Sequence, residues 1–186
     1  RLSESLSYMT QSHYSDAPAS SIPARHTLSI LVDNEPGVLA RVAGLFSGRG
    51  YNIESLTVSE TEHEKHVSRL TIVTTGTAMV IEQIKHQLDR LIPVHRVIDL
   101  TVQGDAIERE LALVKVTGRG EQRSEALRIA AAFGARTLDA TLNSFVFELT
   151  GASEDIERFI RVMAELGIAE VSRTGIAAMS RGAEAL

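Results

Sequence analysis

One pattern constrains this chain more than any other: the order strand, helix, strand, strand, helix, strand occurs twice along it. In the first half, Leu28, Ile30 and Val32 alternate with Ser29, Leu31 and Asp33, the period of a half-buried strand. The cluster Asp33-Asn34-Glu35-Pro36-Gly37 predicts a turn, and Val38, Val42, Leu45 and Phe46 follow at helical spacing. Gly48-Arg49-Gly50 closes that helix, because glycine accepts the left-handed conformation of a helix end. Residues 52–59 and 67–75 read as strands joined by a charged loop over 60–66. Val80, Ile84, Leu88 and Leu91 mark a second helix, Pro93 breaks it, and residues 94–102 form another strand.

The second half repeats the order with little residue identity. Residues 111–117 read as a strand, and Leu127, Ala130 and Ala131 mark a helix ending at Gly134. Residues 136–142 and 145–150 are strands around a turn at Asn143-Ser144. Ile156, Phe159, Ile160 and Met163 give the last helix, with Ser153 as its expected N-cap, and residues 168–174 the last strand. The fold class is therefore α+β: two tandem ferredoxin-like βαββαβ units, each an antiparallel sheet with two helices on one face. Expected boundaries are an extension over 1–24, a first domain over 25–102, a linker over 103–109 and a second domain over 110–186. Leu70, Ile72, Leu100 and Val102 suggest an apolar helix-free face, and with it oligomerisation.

Composition narrows the function. Net charge is −5, aromatic residues are 4% and tryptophan is absent, a poor match to a phosphate-backbone or base-stacking binder. Cysteine is absent, which removes disulfides, thiolate metal sites and thiol nucleophiles and fits a reducing cytoplasm. No apolar run reaches the ~20 residues of a membrane span. Residues 1–24 hold many serines and two of the four prolines, and read as a flexible extension without a signal-peptide core.

Catalytic motifs are missing. There is no nucleophile elbow, zinc-protease helix or P-loop. Gly118-Arg119-Gly120 reads as a helix start. His63 and His66 beside Glu62 and Glu64 read as solvated loop residues rather than a metal site. His86 and His95 fall on polar surfaces, and Glu108 and Glu110 read as solvated linker residues. The expectation is no catalytic residue, no metal ligand and no cofactor of the chain's own.

The informative element is the turn before the first helix. Gly37 begins a helix whose free backbone N–H groups offer a seat for a carboxylate. Asn34 can hold the loop, Asn52 offers both a donor and an acceptor, and Val38, Leu39 and Ile53 would line a small apolar hollow. Such a site could take a free aliphatic α-amino acid. On these residues alone, an ordinary capped turn with core side chains explains them equally well.

The run from Ile30 through Asp33-Asn34-Glu35-Pro36-Gly37-Val38-Leu39-Ala40-Arg41 to Tyr51-Asn52-Ile53-Glu54-Ser55-Leu56-Thr57-Val58 resembles the regulatory (small) subunits of acetolactate synthase. Segments 108–116 and 172–182 resemble the same family, so the likeness runs from about Arg25 to Gly182. It implies that the first unit is an ACT domain and the protein a non-catalytic activator of a large, thiamine-diphosphate-dependent subunit. It also implies feedback inhibition by valine, with leucine or isoleucine as variants, in branched-chain amino-acid synthesis. Thiamine diphosphate, Mg and FAD would belong to the catalytic partner. Effectors in the family sit between paired ACT domains. The matching positions are Asn34, Gly37, Val38 and Leu39, with Asn52 and Ile53 from the next strand. Pro36 takes a slot that the family fills variably, and its fixed φ suits a helix start.

Overall fold

The computed structural model describes residues 22–62, 66–102, 104, 106–183 and 185, so most of the expected extension and residues 63–65 of the charged loop lie outside it. The first unit contains β1 (Ala24–Asp33), α1 (Val38–Gly48), β2 (Ser55–Glu62), β3 (Val67–Gly76), α2 (Ala78–Asp89) and β4 (Val94–Asp99). The second contains β5 (Ile107–Thr117), α3 (Glu121–Ala132), β6 (Arg136–Ala140), β7 (Ser144–Gly151), α4 (Ser153–Ala164) and β8 (Ile168–Met179). The strand orders are β2-β3-β1-β4 and β6-β7-β5-β8, and every pairing is antiparallel. The twice-written ferredoxin-like pattern is therefore the fold.

Strand alternation and helix stripes meet as their periods require. Leu28, Ile30 and Val32 of β1 pack with Leu70 and Ile72 of β3 against Val42 and Phe46 of α1 and Ile81, Ile84 and Leu88 of α2. In the second unit, Val114, Phe147, Ile156, Phe159 and Met163 form the core, with Phe159 edge-on to Phe147. The α1 helix ends as glycine allows: Gly50 adopts φ 71°, and the Tyr51 N–H donates back to the Phe46 carbonyl at 2.9 Å. Among the described residues, no helix is long and apolar enough to cross a membrane.

Several local expectations change. Leu70 and Ile72 face the helices, not the open side, and Val102 is 73% exposed. The helix-free face of the first sheet carries Thr27, Ser29, Leu31, Arg69, Thr71 and Val73 instead. It is also covered within the chain. Strand β8 runs five residues past Thr174, pairs there with residues 107–110, and presses Ile176 and Ala178 onto Val73 and Leu100. Residues 107–109 are accordingly strand rather than linker. The α4 N-cap is Ala152, because the Ser153 hydroxyl donates to Glu110 Oε2 at 3.1 Å and has no cap to make.

Candidate functional site

The turn between β1 and α1 is built by two residues. Pro36 and Gly37 occupy the centre of a β-turn closed by the Val38 N–H on the Glu35 carbonyl at 3.4 Å. Gly37 has φ 87° and ψ −7°, the left-handed geometry that a type II turn demands at its third position. A Cβ at Gly37 would meet nothing within 4 Å, so its backbone conformation, not crowding, calls for glycine. Gly37 then caps α1 through its backbone only, and the first turn of the helix carries no side-chain cap and no acidic residue. The Val38 N–H is taken by Glu35, and the next two, of Leu39 and Ala40, have no intrahelical partner, a favourable place for an anion.

Neighbouring strands fix this turn. The Asp33 N–H donates to the Pro93 carbonyl at 2.8 Å and the Asn34 N–H to the His66 carbonyl at 2.6 Å. His95 Nε2 pairs with Asp33 Oδ1 at 2.5 Å, so exposed His95 buttresses the turn from β4. His86 is exposed on α2. Asn34, Pro36 and Gly37 are exposed, Leu39 is 44% exposed, and Val38 is buried in the first core.

The other two predicted residues lie elsewhere. Asn52 is exposed, its carbonyl accepts from Thr74 Oγ1 at 2.7 Å, and Ile53 is half-buried against the first core. The next N–H after Ile53, that of Glu54, donates to Val73, which pairs with Thr27. The Asn34 turn instead follows Asp33, which pairs with Val67. From Thr27 to Asp33 the sheet runs roughly 20 Å at ~3.3 Å per residue. Within one chain, Asn34, Pro36, Gly37, Val38 and Leu39 share one end of the sheet, while Asn52 and Ile53 sit at the other.

Among the described residues, no three His, Asp or Glu side chains are placed to hold a metal ion, and His63 lies outside them. Ion pairs also form at the seam between the two units. Glu110, expected as a solvated linker residue, is 4% exposed and takes Arg173 Nε at 2.8 Å and Nη2 at 2.7 Å. Those hydrogen bonds hold its carboxyl below the usual range, against the upward push of burial. Glu108 accepts from Arg25 Nη2 at 3.0 Å and from the Thr27 hydroxyl. The legible signal was phase: Glu108 and Glu110 continue the alternation of Ala112, Val114 and Val116.

Residues 28–96 match the family described as the AHAS small subunit-like ACT domain, and residues 109–182 the small subunit of acetolactate synthase. A probable acetolactate synthase small subunit of Archaeoglobus fulgidus is 46% identical over 158 residues, 85% of this chain and 98% of its own length. The acetolactate synthase isozyme 3 small subunit of Salmonella typhimurium is 43% identical over 159 residues, 85% of this chain and 96% of the relative. The crystal structure of the acetolactate synthase small subunit from Thermotoga maritima superposes with a TM-score of 0.79 at 37% identity. The match covers 87% of this chain and 99% of that one.

Proposed function

The chain belongs to the family of acetolactate synthase small subunits, and from that premise we propose that it is a non-catalytic regulatory subunit. It raises the turnover of a large catalytic subunit, which carries thiamine diphosphate, Mg and FAD, and makes it sensitive to valine, with leucine or isoleucine as alternatives. It acts in the cytoplasm and needs no cofactor of its own. The observation that carries this reading is the exposed α1 N-terminus behind a Pro36-Gly37 turn, without a capping side chain or first-turn acid. The effector carboxylate meets the free N–H groups there, and a short aliphatic side chain meets exposed Leu39.

The position of Asn52 supports a homodimer. Strand β2 is an edge of the first sheet and half-exposes Val58. Two β2 strands pairing antiparallel across a two-fold axis lay the start of one beside the end of the other. That arrangement carries Asn52 of the partner subunit to the end of the sheet where Asn34 and Gly37 lie. Two equivalent effector sites result, each taking its turn from one subunit and its Asn52 amide from the other.

Reconstitution with a large subunit tests the reading. The purified chain alone should form no acetolactate, and adding it should raise large-subunit turnover and confer valine inhibition. Gly37→Asp should abolish inhibition, because a second carboxylate repels the effector's own, while leaving most of the activation. Acetolactate formation by the chain alone would overturn the non-catalytic role. Wild-type valine inhibition of Gly37→Asp would overturn the site.

A further inference from the structure

A cavity lies on the opposite side of the first sheet from the helices. It encloses about 240 Å³ between the sheet's open face and the chain that follows β8. Two polar groups in its wall have no partner. Ser29 is 1% exposed and its Oγ makes no hydrogen bond, and Arg69 Nε is buried and equally unmatched. Nearly all buried polar atoms in folded proteins are paired, so two orphans in one cavity point to an occupant.

The wall chemistry selects that occupant. A guanidinium offers only donors and a serine hydroxyl offers another, so both suit an acceptor-rich anion. Strand register puts Arg69 and Arg96 on either side of Leu31 on this same face. Neither forms an ion pair with a described residue, although the chain as a whole carries a net charge of −5. The remaining lining is mostly apolar, with Leu100, Ala178, Met179 and Ala183, and Ser180 adds one further hydroxyl. The volume equals about eight waters at ~30 Å³ each, room for a few carbons beyond a carboxylate.

We propose that this cavity is a ligand site, separate from the effector turn, for a small aliphatic monocarboxylate held by the Arg69 guanidinium and the Ser29 hydroxyl. The apolar walls favour it over a phosphate, which would leave oxygens facing methyl groups. Arg69 supplies charge and the forked donor geometry, Ser29 the second donor, and Met179 and Leu100 cover the alkyl end.

Sodium butyrate, titrated calorimetrically into the full chain, tests the proposal, with n-butanol, n-butylamine and inorganic phosphate as comparison probes. Butyrate should saturate at one per chain, and the alcohol and amine should bind at least about tenfold more weakly. Arg69→Met should weaken butyrate by about tenfold, Arg69→Lys should keep most of the affinity, and Ser29→Ala should weaken it severalfold. Gly37→Asp should leave it unchanged, which separates this site from the proposed effector turn. Absence of saturation, equal binding of butanol, or indifference to both Arg69→Met and Ser29→Ala would overturn the site. Tighter binding of phosphate than of butyrate would overturn the ligand class. A large gain in butyrate affinity in Glu184→Gln would show that the site serves a carboxylate of the chain itself, and would equally overturn it.

Discussion

Gly175 and Ser55 meet where the two units join: a Cβ on Gly175 would stand 2.8 Å from Ser55 Oγ. Gly175 has φ 81°, and the following N–H, that of Ile176, donates to the same Ser55 Oγ at 3.0 Å. Thr57 Oγ1 in turn donates to the Ile176 carbonyl at 2.8 Å. A single glycine thus lets β8 lie directly on the edge strand β2.

Gly175→Ala should therefore loosen the junction of the two units. Left-handed strain costs about 1–2 kcal/mol for a non-glycine residue, and the contact with Ser55 adds to it. At roughly 2–4 °C per kcal/mol for a chain of this size, the melting temperature should fall by several degrees. Ser55→Ala alone should also destabilise, because it removes the acceptor of the Ile176 N–H. Gly175→Ala should cost less in that background than in the wild type, because the clash is gone and only the strain remains. A Gly175→Ala protein that melts with the wild type would contradict this account.

Acid should weaken the Glu110–Arg173 link. The Glu110 carboxyl is held below its ordinary range when folded, chiefly by hydrogen bonds from Arg173. The unfolded chain therefore binds more protons as pH falls. The contribution is complete above the usual carboxylate range near pH 4–5, and is lost as pH drops through the depressed folded value. Glu110→Gln should cost about 1.5–3 kcal/mol at pH 7, the scale of hydrogen bonds to a charged group. Urea midpoints of the two proteins should converge as pH falls from the ordinary carboxylate range downward. A constant gap across that range would mean that the ionised form contributes nothing special.

Mixed dimers should reveal the shared effector site. Gly37→Asp and Asn52→Ala homodimers should each lose valine inhibition, because every site in them is damaged once. A mixed dimer has one site damaged twice and one intact. Mixing equal amounts of the two variants before adding the large subunit should restore part of the inhibition, since random exchange leaves about a quarter of all sites intact. If the mixture stays uninhibited while each variant still dimerises by light scattering, Asn34 and Asn52 do not act across subunits.

Loss of the buttress behind the turn should be felt as weaker effector binding. His95→Leu removes the partner of Asp33 Oδ1. Both side chains are substantially exposed, so the cost in stability should stay below about 1 kcal/mol. The valine concentration for half inhibition should rise, with activation unchanged. An unchanged half-inhibitory concentration would show that the backbone contacts of Asp33 with Pro93 and of Asn34 with His66 fix the turn without it.

The sequence by itself determined the elements and their order, because strand alternation and helix periodicity are local and each side chain's burial follows from its phase. It also determined the turn, since Pro36 sets one φ and Gly37 alone accepts the next. Which face of the first sheet would be covered, and by what, was decided only in three dimensions. Leu70 and Ile72 belong with the helices by their register with Ile30 and Leu28, and register is a relation between strands. The length of β8 depended on its pairing with residues 107–110 and on landing against Val73 and Leu100, contacts made across some 70 to 100 residues of chain. A separation of 63 residues likewise hid the role of Glu110, whose burial makes sense only once Arg173 lies beside it. Asn34 and Asn52 read as neighbours along the chain, yet α1 and the opposed ends of β1 and β2 hold them at opposite ends of one sheet, because β2 runs parallel to β1 and begins where β1 begins.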